Sequence, residues 1–402
     1  MEKIKMKRAL KIGSFILAGI AVLCLILIII LYCISGGSMK QTYMEPWSKN
    51  YAEKYSDVRV RLAAAGLLAA SNHNMQPWKI SLDESDPMVF YLYADSSRTT
   101  KEVDPYARQM MISQGTFLEY AAVAGEKEGY HVDISLFPDG TYDESNLAES
   151  MDSKPVAKIT LTKTQPESST LYDTLFLPDT NRDAYQPEKL TDSQVSALES
   201  LSSMSNVSIK LYQDQENLSN IGNFALQSAT IEAGVTRVMD ESNAIFRANE
   251  YQKNEYRYGY SVEGQGTSGF MKDILQGLVT LFPSMNTGKS ASQNFINSTK
   301  ISVEHTPAYA MIITSGNSCL EQVESGMIYS KLVLTGHTLN LAMQPLSQVL
   351  EEYPEMESPY TEFKEAYTPD GGTVQMLFRV GIATKSVPLS MRRDVQDLIK
   401  SN

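Results

Sequence analysis

Residues Ile12 to Ile34 form an unbroken run of 23 residues without a charged side chain, and no other feature limits the architecture of this chain so strongly. At 1.5 Å per residue, a helix of that length crosses a hydrocarbon core of about 30 Å, so the run predicts a single transmembrane anchor over 12–34. Lys3, Lys5, Lys7, Arg8 and Lys11 precede it against one acid, Glu2. This basic flank, 1–11, predicts a cytoplasmic N-terminus and an extracytoplasmic body, although Lys40, Lys49 and Lys54 beyond the run reduce the asymmetry. A cleaved signal peptide is the competing reading; the length of the run and the lack of an Ala-x-Ala end speak against it. A lipidated Cys33 is a third, opposed by the bulky Tyr32 before it.

The net charge of −12 hides a contrast, because the first eleven residues carry +4 and the rest −16. An acidic body has nothing with which to displace counterions from a phosphate backbone, so no nucleic-acid partner is predicted. Cys319 is the only cysteine outside the apolar run, which excludes an internal disulfide framework in the body. His73, His131, His305 and His337 lack ligand spacing, and no metal site is predicted.

After a stalk at 35–56, the body at 57–400 mixes long helical patterns with hairpin-like strands. Trp78 to Leu82 and Met88 to Tyr93 alternate around a DESDP turn and predict a hairpin; Tyr106 to Glu128 predicts a helix stopped by Gly129. Further strands are predicted at His131–Phe137, Val156–Leu161, Val207–Tyr212, Tyr309–Thr314 and Val374–Ile382, with helices over Leu218–Asn249 and Val323–Ala342. Strands grouped in hairpins beside long helices, without strict βαβ alternation, predict an α+β fold. The aromatic, glycine-rich Tyr251 to Gly269 and the segment onward to Lys300 predict an insertion, either a surface excursion or a lid, over 250–300.

Two patterns carry functional information. In LAAAGLLAASNHNMQPWKISL, Leu62 to Leu82, an apolar helix runs into Ser71, Asn72, His73, Asn74 and Gln76 before Pro77 and Trp78. Such a cluster either caps the helix and shapes a turn, or presents amides to a planar, polar-edged ligand. The second pattern is a spacing: Gly115 and Gly125 lie ten apart in one predicted helix, Gly326 and Gly336 ten apart in another. Met343, Gln344 and Pro345 after the second helix also echo Met75, Gln76 and Pro77. The pattern predicts two related halves, about 57–165 and 166–400, packed through glycine-faced helices as a single-chain counterpart of a symmetric dimer.

ASNHNMQPW, followed in order by DPYARQ, DTNRDAY, the second glycine helix with LAMQPLSQ, FRVGIA and MRR, resembles the nitroreductase-like superfamily over Asp57 to Lys400. It is most similar to the Acg-type branch, whose motif is close to SPHNTQPW and whose members resemble two nitroreductase halves fused around one retained flavin site. The resemblance implies FMN as cofactor and a monomeric pseudo-dimer. It implies Ser71, Asn74 and Gln76 at the ribityl and pyrimidine edges, with Arg182, Arg392 and Arg393 at the phosphate. Taken without the resemblance, Arg182 is a solvated turn residue and Arg392 with Arg393 a surface pair opening a terminal helix. As an adjacent pair, the last two are expected to substitute partly for one another.

The chain departs from the family pattern at Asp179, where an Arg is usual, at Asn72 for Pro and at Met75 for Thr. Asp179 would repel phosphate if it faced the same way. No catalytic side chain is expected, because the flavin carries the redox chemistry. The implied activity is reduction of a nitroaromatic, quinone or similar small electrophile, with NAD(P)H or, for an exported body, a membrane electron carrier as donor. A non-catalytic flavin-sequestering protein and a cofactor-free interaction domain are the competing functions.

Overall fold

The computed structural model describes residues 2–167, 169–202 and 205–400. Its helices and strands are, in chain order, α1 (Glu2–Ser35), α2 (Val58–Gly66), β1 (Trp78–Leu82), β2 (Val89–Ala94), α3 (Arg108–Glu128), β3 (Tyr130–Leu136), α4 (Leu147–Ser153), β4 (Ala157–Lys163), α5 (Thr170–Thr174) and α6 (Asp192–Glu199). There follow β5 (Val207–Tyr212), α7 (Gln215–Gly234), α8 (Thr236–Ala244), α9 (Glu250–Tyr256), α10 (Gly269–Leu281), α11 (Gly288–Glu304), β6 (Ala308–Thr314), α12 (Cys319–Thr338), β7 (Ala342–Pro345), α13 (Glu357–Tyr367) and β8 (Thr373–Gly381). The fold is α+β.

The strands form two four-stranded antiparallel sheets, ordered β1-β2-β4-β3 and β5-β6-β8-β7. Both follow one chain path: two strands, a long helix, then two strands, the last of which returns to the middle of the sheet. The first sheet joins β1 to β2 by the short 83–88 turn, where Asp83 Oδ1 caps the backbone N–H groups of Ser85 and Asp86. The second replaces that turn with the excursion α7 to α11. The insertion expected at 250–300 is therefore the latter part of a longer one.

The likeness extends to the long helices. α3 packs along α12 and the two cross at glycines: a Cβ on Gly115 would lie 1.9 Å from Val323 O, and one on Gly326 would lie 1.9 Å from Ile112 O. These contacts are reciprocal, each helix presenting a glycine to the carbonyl three residues before its partner's glycine, as a two-fold axis requires. The outer glycines repeat the correspondence. Gly125 faces Val132 on β3 and Gly336 faces Met343 on β7, both seven residues onward.

β6 and β8, the two inner strands, are buried along their whole length, β8 including the polar Gln375 and Arg379, whose side chains are hydrogen-bonded inside. α1 is different: its apolar stretch, Leu10–Ser35, is almost wholly exposed, so it is not a core helix.

Several expectations need correction. The 35–56 stretch is not a free stalk. Tyr43, Trp47 and Tyr51 are buried; Trp47 Nε1 donates to Ser390 O at 2.7 Å and Tyr43 OH to Glu250 Oε2 at 2.8 Å. α2, capped by the Asp57 carboxylate, ends at Gly66 and not at Ala70. α12 stops at Thr338, and Met343, Gln344 and Pro345 lie in strand β7. Their echo of Met75–Pro77, which is a loop, is therefore not structural.

Candidate functional site

The polar motif after α2 is wound tightly. His73, Asn74 and Gln76 have φ values of 47°, 53° and 50°. Three non-glycine residues in this left-handed region within four positions are costly and persist only when surrounding contacts impose them. Many contacts do. Ser71 Oγ accepts from Gln76 N at 3.0 Å, and Ser113 Oγ of α3 accepts from Asn72 N at 3.0 Å. Gln114 Nε2 donates to Pro77 O, and Thr116 Oγ1 to Ala70 O.

The C-terminal arginines close the motif from the other side. Arg392 Nη1 donates to Asn74 Oδ1 at 3.0 Å, and its Nη2 to Leu68 O and Ala69 O at 2.6 and 3.2 Å. Arg393 donates from its backbone N to Gln76 Oε1 at 2.8 Å and from Nη1 to Gln76 O and Trp78 O. Both arginines are buried in coil preceding the last short turn, so they are neither a surface pair nor the start of a helix. Burial pushes both guanidinium groups down to about 10, and they remain charged at neutral pH.

A covering segment completes the enclosure. Asn74 Nδ2 donates to Gly259 O at 2.9 Å and Gly259 N to Asn74 O at 3.1 Å, while Gln76 Nε2 reaches Arg257 O at 2.9 Å. Both amides also reach Met391 O. Ser71, Asn74, Gln76, Arg392 and Arg393 thus form one network joined to protein carbonyls and to each other, in which the buried Arg392 Nε is left without a partner.

Arg182 stands apart from that network. Arg379, fully buried in β8, donates to Asn181 O and Asp183 O and stacks 3.8 Å from the centre of the Tyr185 ring. These bonds fix the carbonyls on either side of Arg182. Its own guanidinium has no hydrogen bond or ion pair among the described residues, and the side chain keeps contact with water. Surrounding protein nonetheless presses its pKa down by desolvation, while the fields of Tyr329, Tyr185 and Tyr260 oppose that shift. The side chain is exposed, as expected of a turn residue, yet it stands close enough to His73 and Tyr329 for its charge to act on both.

His73 from the motif lies within reach of the Arg182 charge. Burial, helped by the charge of Arg182, pushes its pKa to about 4, so the imidazole is neutral. Its Nδ1 has no hydrogen-bond partner, and neither has the Tyr329 hydroxyl, whose pKa is pushed up by burial and by the charge of Asp179, with Arg182 opposing. One cation and two polar atoms without partners therefore converge where a loop of the second sheet meets the motif of the first.

Asp179 does not oppose this cation. Its carboxylate accepts a hydrogen bond from Tyr120 OH and lies in the field of Arg392. Burial raises it to about 6 against both influences.

His73 and Tyr260 lay within stretches conspicuous in the sequence for polar or aromatic density. Nothing in the sequence marked Tyr329, or Arg379 as the residue that sets the Arg182 loop.

No protein-family profile matches the sequence, and no functionally curated protein matches it. Among solved structures the chain is similar to a nitroreductase-like family protein from Bacillus cereus, at 8% identity over 60% of this chain and 99% of that one, with a TM-score of 0.32. It is also similar to an FMN-dependent nitroreductase from Mycobacterium smegmatis, at 13% identity over 58% and 98%, with a TM-score of 0.34. A putative nitroreductase from Anabaena variabilis matches at 11% identity over 73% of this chain and 69% of that one, with a TM-score of 0.34.

Proposed function

We propose that this chain is a membrane-tethered flavoprotein of nitroreductase type, with two related halves fused and one FMN held where they meet. The observation that carries the reading is Arg182. It is an exposed guanidinium without a counter-ion among the described residues, near the buried His73 and Tyr329 atoms that lack partners, at a place built from both halves. An anion with several acceptor oxygens would pair with that guanidinium, and the FMN phosphate has that chemistry.

In this reading Arg182 binds the phosphate, and the Tyr329 hydroxyl is a second donor. Ser71, Asn74 and Gln76 face the ribityl and pyrimidine side. The side-chain amides of Asn74 and Gln76 each donate a hydrogen bond to the 257–259 segment, and these donors become available to the cofactor when that segment lifts. Arg392 and Arg393 act as positioning residues, holding Asn74 and Gln76 in their left-handed conformations. When bound, FMN supplies reversible hydride and electron transfer. The protein supplies orientation, a neutral His73 and exclusion of water. The acceptor class is a small electrophile such as a nitroaromatic or quinone. With the body extracytoplasmic, a membrane electron carrier fits better than NAD(P)H as donor.

One feature favours a second reading, a flavin-sequestering protein. The segment bonded to Asn74 and Gln76 closes the motif, and a site that never opens binds without turnover.

The test is a pair of titrations, following quenching of flavin fluorescence as FMN or riboflavin is added to the full chain in detergent. Arg182→Gln is expected to weaken FMN by about ten- to a hundredfold, the size of a lost charge-assisted hydrogen bond, and to leave riboflavin unchanged. Equal losses for both flavins remove Arg182 from the phosphate, and no saturable binding to the wild type removes the flavin.

A further inference from the structure

α10 has two unlike faces. Gln276, Gly277 and Val279 are buried, whereas Phe270, Met271 and Leu281 are exposed, and the exposed apolar surface continues through Phe282 and Met285. Ile274 and Leu278, half-buried, complete a stripe at helical spacing from Phe270 to Leu281. The two ionised residues of this helix, Lys272 and Asp273, pair with each other, and Lys272 also pairs with Glu250, so the stripe carries no charge.

An apolar patch of this kind in water requires an occupant. α10 packs directly on α1: a Cβ at Gly277 would lie 2.5 Å from Leu31 O, an approach that only glycine permits. Counting from Ile12, about twenty residues cross a hydrocarbon core, which brings the far boundary to Leu31. The glycine contact thus fixes α10 at the depth where the anchor leaves the lipid. Leu27, Ile29 and Ile30, in the turn of α1 just before Leu31, are exposed as well.

We infer that α10 and the turn after it, through Met285, form a second membrane contact, an interfacial helix whose Phe270, Met271, Leu281, Phe282 and Met285 sit in the acyl boundary of the bilayer that α1 spans. The inference rests on α1 being a membrane span. It has a structural consequence for the candidate site. Glu250, 1% exposed, accepts from Lys272 Nζ of α10 at 2.8 Å, Lys253 Nζ of α9 at 2.6 Å and Tyr43 OH at 2.8 Å. α9 leads directly into Arg257 and Gly259, whose carbonyls hold Gln76 and Asn74. A chain of buried contacts therefore runs from the bilayer surface to the segment that covers the motif.

The test uses the full chain carrying Phe282→Trp, reconstituted into phosphatidylcholine vesicles, with the wild type, whose Trp47 and Trp78 are buried, as blank. Co-flotation with vesicles after an alkaline wash reports the anchor separately. With the anchor inserted, the added emission is expected to fall about twofold or more when brominated acyl chains replace ordinary ones, and to resist iodide in the water phase. Quenching by iodide but not by brominated lipid shows a helix in water and overturns the inference. Resistance to both means that a second copy of the chain covers the stripe, and this also overturns it. Loss of co-flotation overturns the anchor and the inference together.

Discussion

Gly115→Ala and Gly326→Ala are each expected to destabilise the full chain by about 3 kcal/mol or more, measured by denaturant unfolding in detergent. The added methyl would lie 1.9 Å from the main-chain carbonyl of Val323 or of Ile112. Neither obstacle is the end of a flexible side chain, so relief requires α3 and α12 to move apart, and both sheets pack on that pair. Gly234→Ala in α7 is the control. Nothing lies within 4 Å of its added methyl, and the substitution is expected to be neutral or to stabilise by up to about 1 kcal/mol. The two crossing glycines share one contact, so the double variant should lose less than the sum of the singles. Small and additive losses would mean that the halves are not joined through this crossing.

The second large effect is expected at the C-terminal arginines. Arg392→Ala leaves Leu68 O, Ala69 O and Asn74 Oδ1 without a donor and Asp179 without its nearby cation. Removing one member of such a buried, hydrogen-bonded charge network costs about 3–5 kcal/mol. Arg393→Ala releases a different set, Gln76 O, Trp78 O and Asp397 O, and is expected to cost a similar amount. The two residues therefore do not stand in for each other, contrary to what their adjacency suggests. Arg182→Gln, by contrast, should leave the melting profile of the flavin-free protein unchanged, because its guanidinium supports no other group. A melting profile insensitive to Arg392→Ala would show that the network is dispensable and that the motif holds its strained conformation by itself.

The contrast between these arginines marks what a sequence conveys here. Periodicity and spacing located the elements: the Trp78 hairpin, the glycine helices and the ten-residue glycine spacing are properties of local pattern, and each corresponds to a structural feature. The destination of a guanidinium's hydrogen bonds is set by residues hundreds of positions away. Arg392 meets Leu68 and Asn74, while Arg379 meets Asn181 and Asp183. No local pattern separates these engaged arginines from Arg182. The same holds for the 35–56 stretch, whose Gly and Ser suggested a stalk while Tyr43, Trp47 and Tyr51 supplied the buried rings that bind it to the body. Asp179 could not be placed from sequence because its partner, Tyr120, lies 59 residues earlier, in α3. The Met-Gln-Pro repeat misled for the opposite reason, since three residues match in identity while occupying a strand in one place and a loop in the other.

The measurement that bears most directly on an FMN held between the halves is the absorbance spectrum of the full chain purified in detergent, before and after anaerobic addition of NAD(P)H. The account predicts flavin bands that survive gel filtration with the protein and that persist when NAD(P)H is added, since the covering segment and the proposed extracytoplasmic setting favour a donor from the membrane. Bands that bleach on mixing would contradict the closed site and make the protein a nicotinamide-fed reductase. A colourless protein that stays colourless after incubation with FMN would contradict the flavin itself and leave a membrane-tethered interaction domain.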